Sequence, residues 1–375
     1  MSHITKFAVL LSMLLTTLGL NARNDVLQTP AKASQLAEQS VLIDVIKYND
    51  HFLAVGERGH VINWRSPGEW QQEKSPVSVL LTAVTTLSDG TKVAVGHDSA
   101  IIVCPPDSDQ WVKVFDGYNL LDLKASFFEE QITNLQTQIA AAEDPDQIED
   151  LEFTLEEFTF GLEDIQAEKE DGPNKPLLSI AATADNQIFA VGAYGTLLYS
   201  NDKGVTWSLQ EYKLDNPDRF HLNSVISTAD NKLYIAGENS TAFVSSDSGA
   251  SWQRMNMPYQ GSMFGIAAQE NSSNLVAFGL QGNIMVSNDS GESWQLKRID
   301  TSGSFQGGVI ASDGTAYIVG HGGTVIDFNV NNIEDINIRK HPSGAAFAKP
   351  LVHQDALILV GQYGIISWPL SKEKE

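Results

Sequence analysis

Ala190-Val191-Gly192-Ala193-Tyr194-Gly195-Thr196-Leu197-Leu198-Tyr199-Ser200-Asn201-Asp202-Lys203-Gly204-Val205-Thr206-Trp207 decides the fold, because it holds both turns of a unit that recurs along the chain. An apolar, β-rich stretch ends at a glycine. A second glycine follows three residues later, then an alternating strand, a second turn and a tryptophan. The first half recurs as Ala54-Val55-Gly56, Ala94-Val95-Gly96, Ile235-Ala236-Gly237, Ala277-Phe278-Gly279, Ile318-Val319-Gly320 and Leu359-Val360-Gly361. With Gly192 included, the glycines are 40, 96, 45, 42, 41 and 41 residues apart, so six steps link seven repeats. The long step is one repeat plus roughly 55 inserted residues.

The glycine pairs are Gly56/Gly59, Gly192/Gly195, Gly279/Gly282, Gly320/Gly323 and Gly361/Gly364, with Ser99 and Ser240 standing for the second glycine in repeats two and four. Two glycines around two residues are expected to form a tight hairpin in which glycine supplies positive φ. Each unit of about 42 residues then holds four short antiparallel strands. One such sheet cannot bury both its faces, whereas seven set radially bury each face on a neighbour and leave few open edges. The expected fold is therefore all-β: a seven-bladed β-propeller over 41–375, with an antiparallel α-helical hairpin inserted between blades 2 and 3. The last repeat stops three strands in, after Gly364-Ile365-Ile366-Ser367-Trp368, ahead of the polar tail Ser371–Glu375. Its missing strand is expected from the N-terminal segment 23–40, within Val26 to Ser40.

Three repeats carry Ser-x-Asp-x-Gly-x-Ser/Thr-Trp: SNDKGVTW ending at Trp207, SSDSGASW ending at Trp252 and SNDSGESW ending at Trp294. This is the bacterial neuraminidase repeat, or Asp-box. Asp202, Asp247 and Asp289 are suited to accept from turn backbone N–H groups, Gly204, Gly249 and Gly291 to take positive φ, and the tryptophans to pack between blades. Recurring once per blade at the periphery, the aspartates are read as structural rather than catalytic or calcium-binding. The boxes decay elsewhere: Gly68-Glu69-Trp70 and Asp107 with Trp111 are out of register, and Asn331-Asn332 has no tryptophan.

On these residues, together with phrases such as Leu53-Ala54-Val55-Gly56-Glu57-Arg58-Gly59, the chain resembles the photosystem II stability and assembly factor family of propellers, from roughly Leu42 to Trp368, as a relative of the kind found in non-photosynthetic bacteria. That resemblance implies a seven-bladed scaffold that binds assembly intermediates of membrane complexes and performs no catalysis.

The insertion, 119–173, departs from the photosynthetic members of that family. Phe128, Ile132, Leu135, Ile139 and Ala142 step by 4, 3, 4 and 3, and Ile148, Leu151, Leu155, Phe158, Leu162 and Ile165 by 3, 4, 3, 4 and 3. Both are helical stripes. Pro145 suits a first helical turn and Gly172-Pro173 a helix end. Asp122 to Asp171 holds 16 Asp/Glu against Lys124 and Lys169, a net charge of −14. A solvated outer face over an apolar seam is one reading of that charge; an arm for a basic partner is the other. Phe127, Phe153 and Phe160 fall off the stripes and, where exposed, would mark a contact patch.

The formal net charge of −23 and pI near 4.6 disfavour nucleic-acid phosphates and anionic membrane surfaces and favour basic patches on protein partners. Lys6, the apolar run Phe7–Leu20 and the small residue closing Leu20-Asn21-Ala22 read as a secretory signal peptide, 1–22. A run of that length is short for a membrane span. The expectation is export to a periplasm as a soluble mature chain. The lone cysteine, Cys104, leaves no internal disulfide.

Blade geometry puts the turns between paired glycines, the inter-blade connections and the helical arm on one face, at the mouth of the central channel. The candidate binding residues there are Glu57, Arg58, His97, Asp98, Tyr194, Arg219, His221, Glu238, Asn239, Gln281, His321, Gln362 and Tyr363. No catalytic residue, metal site or cofactor is assigned; His97 and His321 lack ligand-spaced partners. The alternative is an Asp-box glycoside hydrolase. A sialidase-like site needs three clustered arginines, and of Arg23, Arg58, Arg65, Arg219, Arg254, Arg298 and Arg339 only Arg58 and Arg219 sit suitably. A carboxylate-pair glycosidase could draw on Glu57, Asp98 and Glu238.

Overall fold

The computed structural model describes residues 25–64, 69–301 and 303–370. The signal segment 1–22, Arg23, Arg65, Gly68 and the tail Ser371–Glu375 lie outside the described residues. The second strands of the repeats, such as Ile188–Gly192, Leu275–Gly279 and Ala356–Gly361, are apolar without alternation and almost wholly buried. A strand of that kind needs cover on both faces. Seven antiparallel sheets provide it among the described residues, six of four strands and the last of three. We number them 1 to 7 along the chain. Their first strands are Leu42–Tyr48, Leu81–Thr86, Leu177–Ala182, Leu222–Ser227, Met263–Ala268, Phe305–Ile310 and Phe347–His353. Each packs on the first strand of the next sheet, and that of sheet 7 packs back on that of sheet 1.

Every junction has an apolar cluster. Leu53 and Val55 of sheet 1 meet Ala94 and Ile102 of sheet 2. Val93 and Val103 meet Ile188 and Leu198 of sheet 3. At the closing junction Val360 of sheet 7 meets Ala54 and Ile62 of sheet 1. Burying one such side chain contributes about 1.5–3 kcal/mol, which a lone sheet forgoes. The first strands line a central channel of about 520 Å3 and are tied to one another across it. Thr82 Oγ1 donates to Leu177 O at 2.6 Å, Ser179 Oγ accepts from Val225 N at 3.1 Å, and Asn223 Nδ2 donates to Met263 O at 2.9 Å. Buried Asp44 spans three sheets, accepting from Val84 N at 3.0 Å and pairing with Lys349 Nζ at 3.2 Å.

The paired glycines do different jobs, which corrects the expectation that both take positive φ. The first of each pair is extended: Gly56 has φ −175° and Gly192 φ −166°. It is required because a Cβ would stand 2.1 Å from Val41 O in sheet 1 and 2.3 Å from Pro176 O in sheet 3, where the first strand enters beside a bulge. The left-handed positions are the residue between (Arg58, Asp98, Tyr194, Asn239 and Gln281) and the second glycine, for example Gly59 at φ 72°. In sheets 1, 2, 3, 5 and 6 these residues make a short helical turn; sheet 4 has a plain turn, and in sheet 7 Gln362 and Tyr363 join Gly361 to Gly364.

Closure also differs from expectation. Sheet 7 keeps three strands among the described residues, and Val26–Ser40 adds none. That segment crosses the turn face instead. Val26 O accepts from Ser78 N, Ala31 N donates to Ser75 O, and Gln72 bonds Lys32 O and Ser34 N. Leu27 is buried in the junction of sheets 1 and 2, and Ala37 in that of sheets 7 and 1. A Cβ on Gly364 would lie 1.8 Å from Glu38 O, much as one on Gly59 would lie 2.0 Å from Val77 O. The N-terminal segment thus replaces the loop that follows a fourth strand, but not the strand.

Candidate functional site: the turn face and the hairpin docked on it

The helical hairpin stands between the last strand of sheet 2, Val112–Phe115, and the first of sheet 3. Helix α1 runs Gly117–Ala141 and α2 Pro145–Asp171, somewhat longer than the stripes suggest. Asp116 and Asn119 form a capping box at the start of α1, and Asp144 caps α2 ahead of Pro145. Leu121, Ala125, Phe128 and Ile165 form the seam, in which Phe128 lies over Gly161 so closely that a Cβ there would stand 2.3 Å from the ring. Lys169 pairs with Asp122 across the helices at 2.6 Å.

The base of the hairpin is pinned to the propeller. Lys124 is 5% exposed and pairs with Glu211 Oε2 at 3.1 Å, with Thr196 also in reach. Burial pushes the Lys124 ammonium pKa down, against the pull of Glu211. Lys175 pairs with Glu168 and sits over the Tyr194 ring at 5.2 Å. Phe127 does not form an exposed patch, as its off-stripe position had suggested; it stacks on Tyr212 at 5.5 Å and packs beside Phe158. Phe153 and Phe160 are exposed.

Between hairpin and propeller lies a groove of about 360 Å3 walled by Phe127, Phe128, Phe158, Tyr212 and Pro217, with Tyr194 and Arg219 at its rim. Arg219 lies over the Phe128 ring at 5.8 Å, and Tyr194 meets His221 edge-on at 4.9 Å. Tyr194 and Tyr212 are 51% and 56% exposed, so aromatic surface opens to solvent at the head of the groove. The reading of turns alone did not find Phe128, Tyr212 or Pro217, because the groove exists only once the hairpin docks on the loop 210–221. The clustering of aromatic residues in that loop and at Phe127-Phe128 was the available signal.

The thirteen turn-face candidates separate into two groups. Glu57 accepts from Val41 N at 3.2 Å, Glu238 from His221 N at 3.1 Å, Gln362 from Ala346 N at 3.3 Å and His321 Nδ1 from Ser304 N at 3.3 Å. These are one repeated contact, in which the residue after the first glycine caps the entry to the first strand. Arg58, Tyr194, Asn239, Gln281 and Tyr363 are exposed at the turns with His97, while Asp98 is half-buried, its carboxyl pushed up by burial against the opposing charge of His97. Tyr194, Arg219 and His221 come together at the groove, with Glu238 against His221; the others stay at the turns of their own sheets. Among the arginines, Arg254 lies on the last strand of sheet 4 and donates to Asp215 O, Arg298 lies on that of sheet 5, and Arg339 is buried against Asp327 and Trp368 in sheet 6.

The Asp-box turns join third to fourth strands, at the ends of the sheets opposite the glycine turns. In each, the aspartate accepts from the N–H four residues on (Thr206 N to Asp202, Ser251 N to Asp247 and Ser293 N to Asp289, each at 2.9 Å). Hydroxyls of Ser251 and Ser293, then the backbone N–H groups, hold Asp247 and Asp289 down to about 2. Gly204 tucks against Val93 and Val103 of sheet 2, and Gly249 against Phe189 of sheet 3, so each box wedges its sheet onto the one before. Sheet 2 lacks a box. There Trp111 Nε1 donates to Glu73 Oε2 at 2.6 Å, Asn63 Nδ2 to Glu73 Oε1 at 2.7 Å, and Lys92 Nζ lies 3.2 Å from the same carboxylate, both charged chains almost wholly buried.

A ring of radially packed four-stranded sheets with Asp-box turns is a β-propeller. The family model described as photosynthesis system II assembly factor YCF48 matches residues 170–323, so this stretch, under half of the chain, is similar to that family. The solved structure of YCF48 bound to D1 peptide superposes with TM-score 0.58 at 13% identity, covering 91% of this chain and 97% of that one. YCF48 from Cyanidioschyzon merolae gives 0.57 at 12% identity, covering 91% and 98%. The WD40 β-propeller domain of Doa1 gives 0.57 at 11% identity, covering 92% and 97%. At these identities the likeness shows the fold alone. No curated protein sequence matches the chain.

Proposed function

We propose that the chain is a seven-bladed propeller, with its hairpin between blades 2 and 3, that acts as an exported, non-catalytic assembly scaffold. It binds protein subunits of a membrane or envelope complex through the turn face and the acidic arm. The groove between hairpin and propeller carries this reading: solvent-open tyrosines over an apolar, aromatic wall are the composition of a protein-binding patch. Similarity to the YCF48 family model supports it, since one YCF48 structure holds a peptide of D1. The net charge favours partners with basic patches. Against the hydrolase alternative, Glu57 and Glu238 spend their carboxylates on backbone N–H groups of separate sheets.

Affinity purification from envelope extracts tests the proposal. The full chain is compared with Tyr194→Ser/Tyr212→Ser and with a form in which residues 122–171 are replaced by a short Gly-Ser linker. Both variants are expected to lose the partners that the full chain retains. Equal recovery by all three refutes the assignment of the groove and arm.

A further inference from the structure

Helix α2 has a second apolar face besides its seam. Phe153 and Phe160 are 64% and 57% exposed, although phenylalanine is a residue that folding normally buries. Seven residues apart, they lie on one side of the helix about 10.5 Å from each other along its axis. The neighbouring positions on that side carry Glu149, Glu156, Glu157, Glu163 and Asp164, all exposed. None of the five has an ion-pair partner among the described residues, whereas Glu168, farther along α2 at the base, pairs with Lys175. The seam is already filled by the packing of α1 on α2, so the two rings serve no contact within the hairpin.

We infer that this face of α2 docks an amphipathic helix of a partner, with apolar anchors one heptad apart and lysine or arginine flanking them, so that the hairpin becomes a three-helix bundle. The inference rests on the scaffold reading and names the chemistry of the partner segment. Two aromatic anchors one heptad apart on a straight helix match the spacing of knobs on a facing helix, and the unpaired carboxylates demand flanking cations. A second copy of the chain is disfavoured, because two such faces bring ten carboxylates together without counter-charge. An anionic bilayer is disfavoured for the same reason.

The test is fluorescence anisotropy with a labelled Leu/Lys amphipathic peptide of about eighteen residues, long enough to be helical once bound. A scrambled peptide of equal composition and charge but no apolar face is the control. The proteins are the full chain, Phe153→Ser/Phe160→Ser and Phe153→Leu/Phe160→Leu. All three have the same charge, and the exposed positions keep the fold intact. The Ser pair is expected to weaken binding of the amphipathic peptide at least about tenfold, the Leu pair to retain most of it, and the scrambled peptide to bind all three alike and weakly. Equal binding of the amphipathic peptide to the full chain and the Ser pair overturns the inference, since charge alone then explains it. So does Phe-dependent attachment to phosphatidylcholine vesicles without peptide selectivity, which makes the face a lipid contact. The envelope purification reads the groove variants independently: partners lost with Tyr194→Ser/Tyr212→Ser but kept with Phe153→Ser/Phe160→Ser would sink this inference and leave the scaffold reading standing.

Discussion

Replacing Glu73 by Gln should be among the most damaging single changes in the propeller, although Glu73 touches no candidate binding residue. Glu73 and Lys92 are 4% and 4% exposed, and the carboxylate also receives the Trp111 and Asn63 donors. Burial lowers the Lys92 pKa, but the charge and hydrogen bond of Glu73 together with Cys104 and Tyr48 more than offset this, and the net shift is upward. With Gln in place, Lys92 keeps Ser108 O, the Cys104 sulfur and the Tyr48 and Trp111 rings, and an amide N–H faces its ammonium. Leaving one member of such a pair uncompensated costs about 3–5 kcal/mol. Lys92→Met should cost less, about 2–3 kcal/mol, because Glu73 retains two charge-assisted donors. The double change Glu73→Leu/Lys92→Met should recover much of the loss, as apolar replacement of a buried pair is often near neutral. Urea denaturation followed by tryptophan fluorescence reads all three, with Trp111 itself a reporter of the junction. The Lys92 contribution should be fully present below the unfolded lysine pKa and fade as pH rises through its raised folded value. A Glu73→Gln loss under about 1 kcal/mol, or single-variant costs that simply add in the double variant, would refute the idea that this pair replaces the missing Asp-box as the lock between sheets 1 and 2.

Three further outcomes follow from the same geometry. Gly192→Ala puts a Cβ 2.3 Å from Pro176 O without any left-handed strain; it should lower the midpoint of urea unfolding by more than Gly322→Ala, whose Cβ meets nothing within 4 Å. Asp247→Ala and Asp289→Ala should each cost about 1 kcal/mol, by analogy with lost caps. Because the folded carboxyls titrate at about 2, below their unfolded value, this stabilisation is present above about pH 4 and is lost as pH falls toward 2, which a pH series of unfolding midpoints checks. Removing residues up to Ser40 strips Leu27 and Ala37 from two junctions and should depress the melting temperature by several degrees, read by circular dichroism.

The propeller architecture was legible because it is written seven times: an apolar run that needs two covered faces, ending in a glycine that cannot be replaced. The physical role of that glycine was not legible. Its φ is ordinary, and what demands it is a carbonyl some fifteen residues earlier, brought close only by pairing with the first strand. The Asp-boxes were readable because Asp202, Asp247 and Asp289 bond within four residues of themselves. The lock that replaces them between sheets 1 and 2 was not, since Glu73, Lys92 and Trp111 come from three separate places in the chain with no recurring pattern. Closure was misread in part for the same reason: Val26–Ser40 makes scattered contacts with three sheets, which no strand periodicity could announce. The helical stripes gave the seam, but whether Phe127 faced solvent depended on Tyr212, eighty-five residues away.

The central claim is that partners meet the turn face and the hairpin, and site-specific photocrosslinking in envelope extracts tests it most directly. A crosslinking residue is placed at Tyr194 or Tyr212, beside the groove, and at Val205, which is equally exposed in an Asp-box turn at the opposite ends of the sheets. The same protein partners should be captured from positions 194 and 212 and not from 205. Capture from 205 alone would contradict the account.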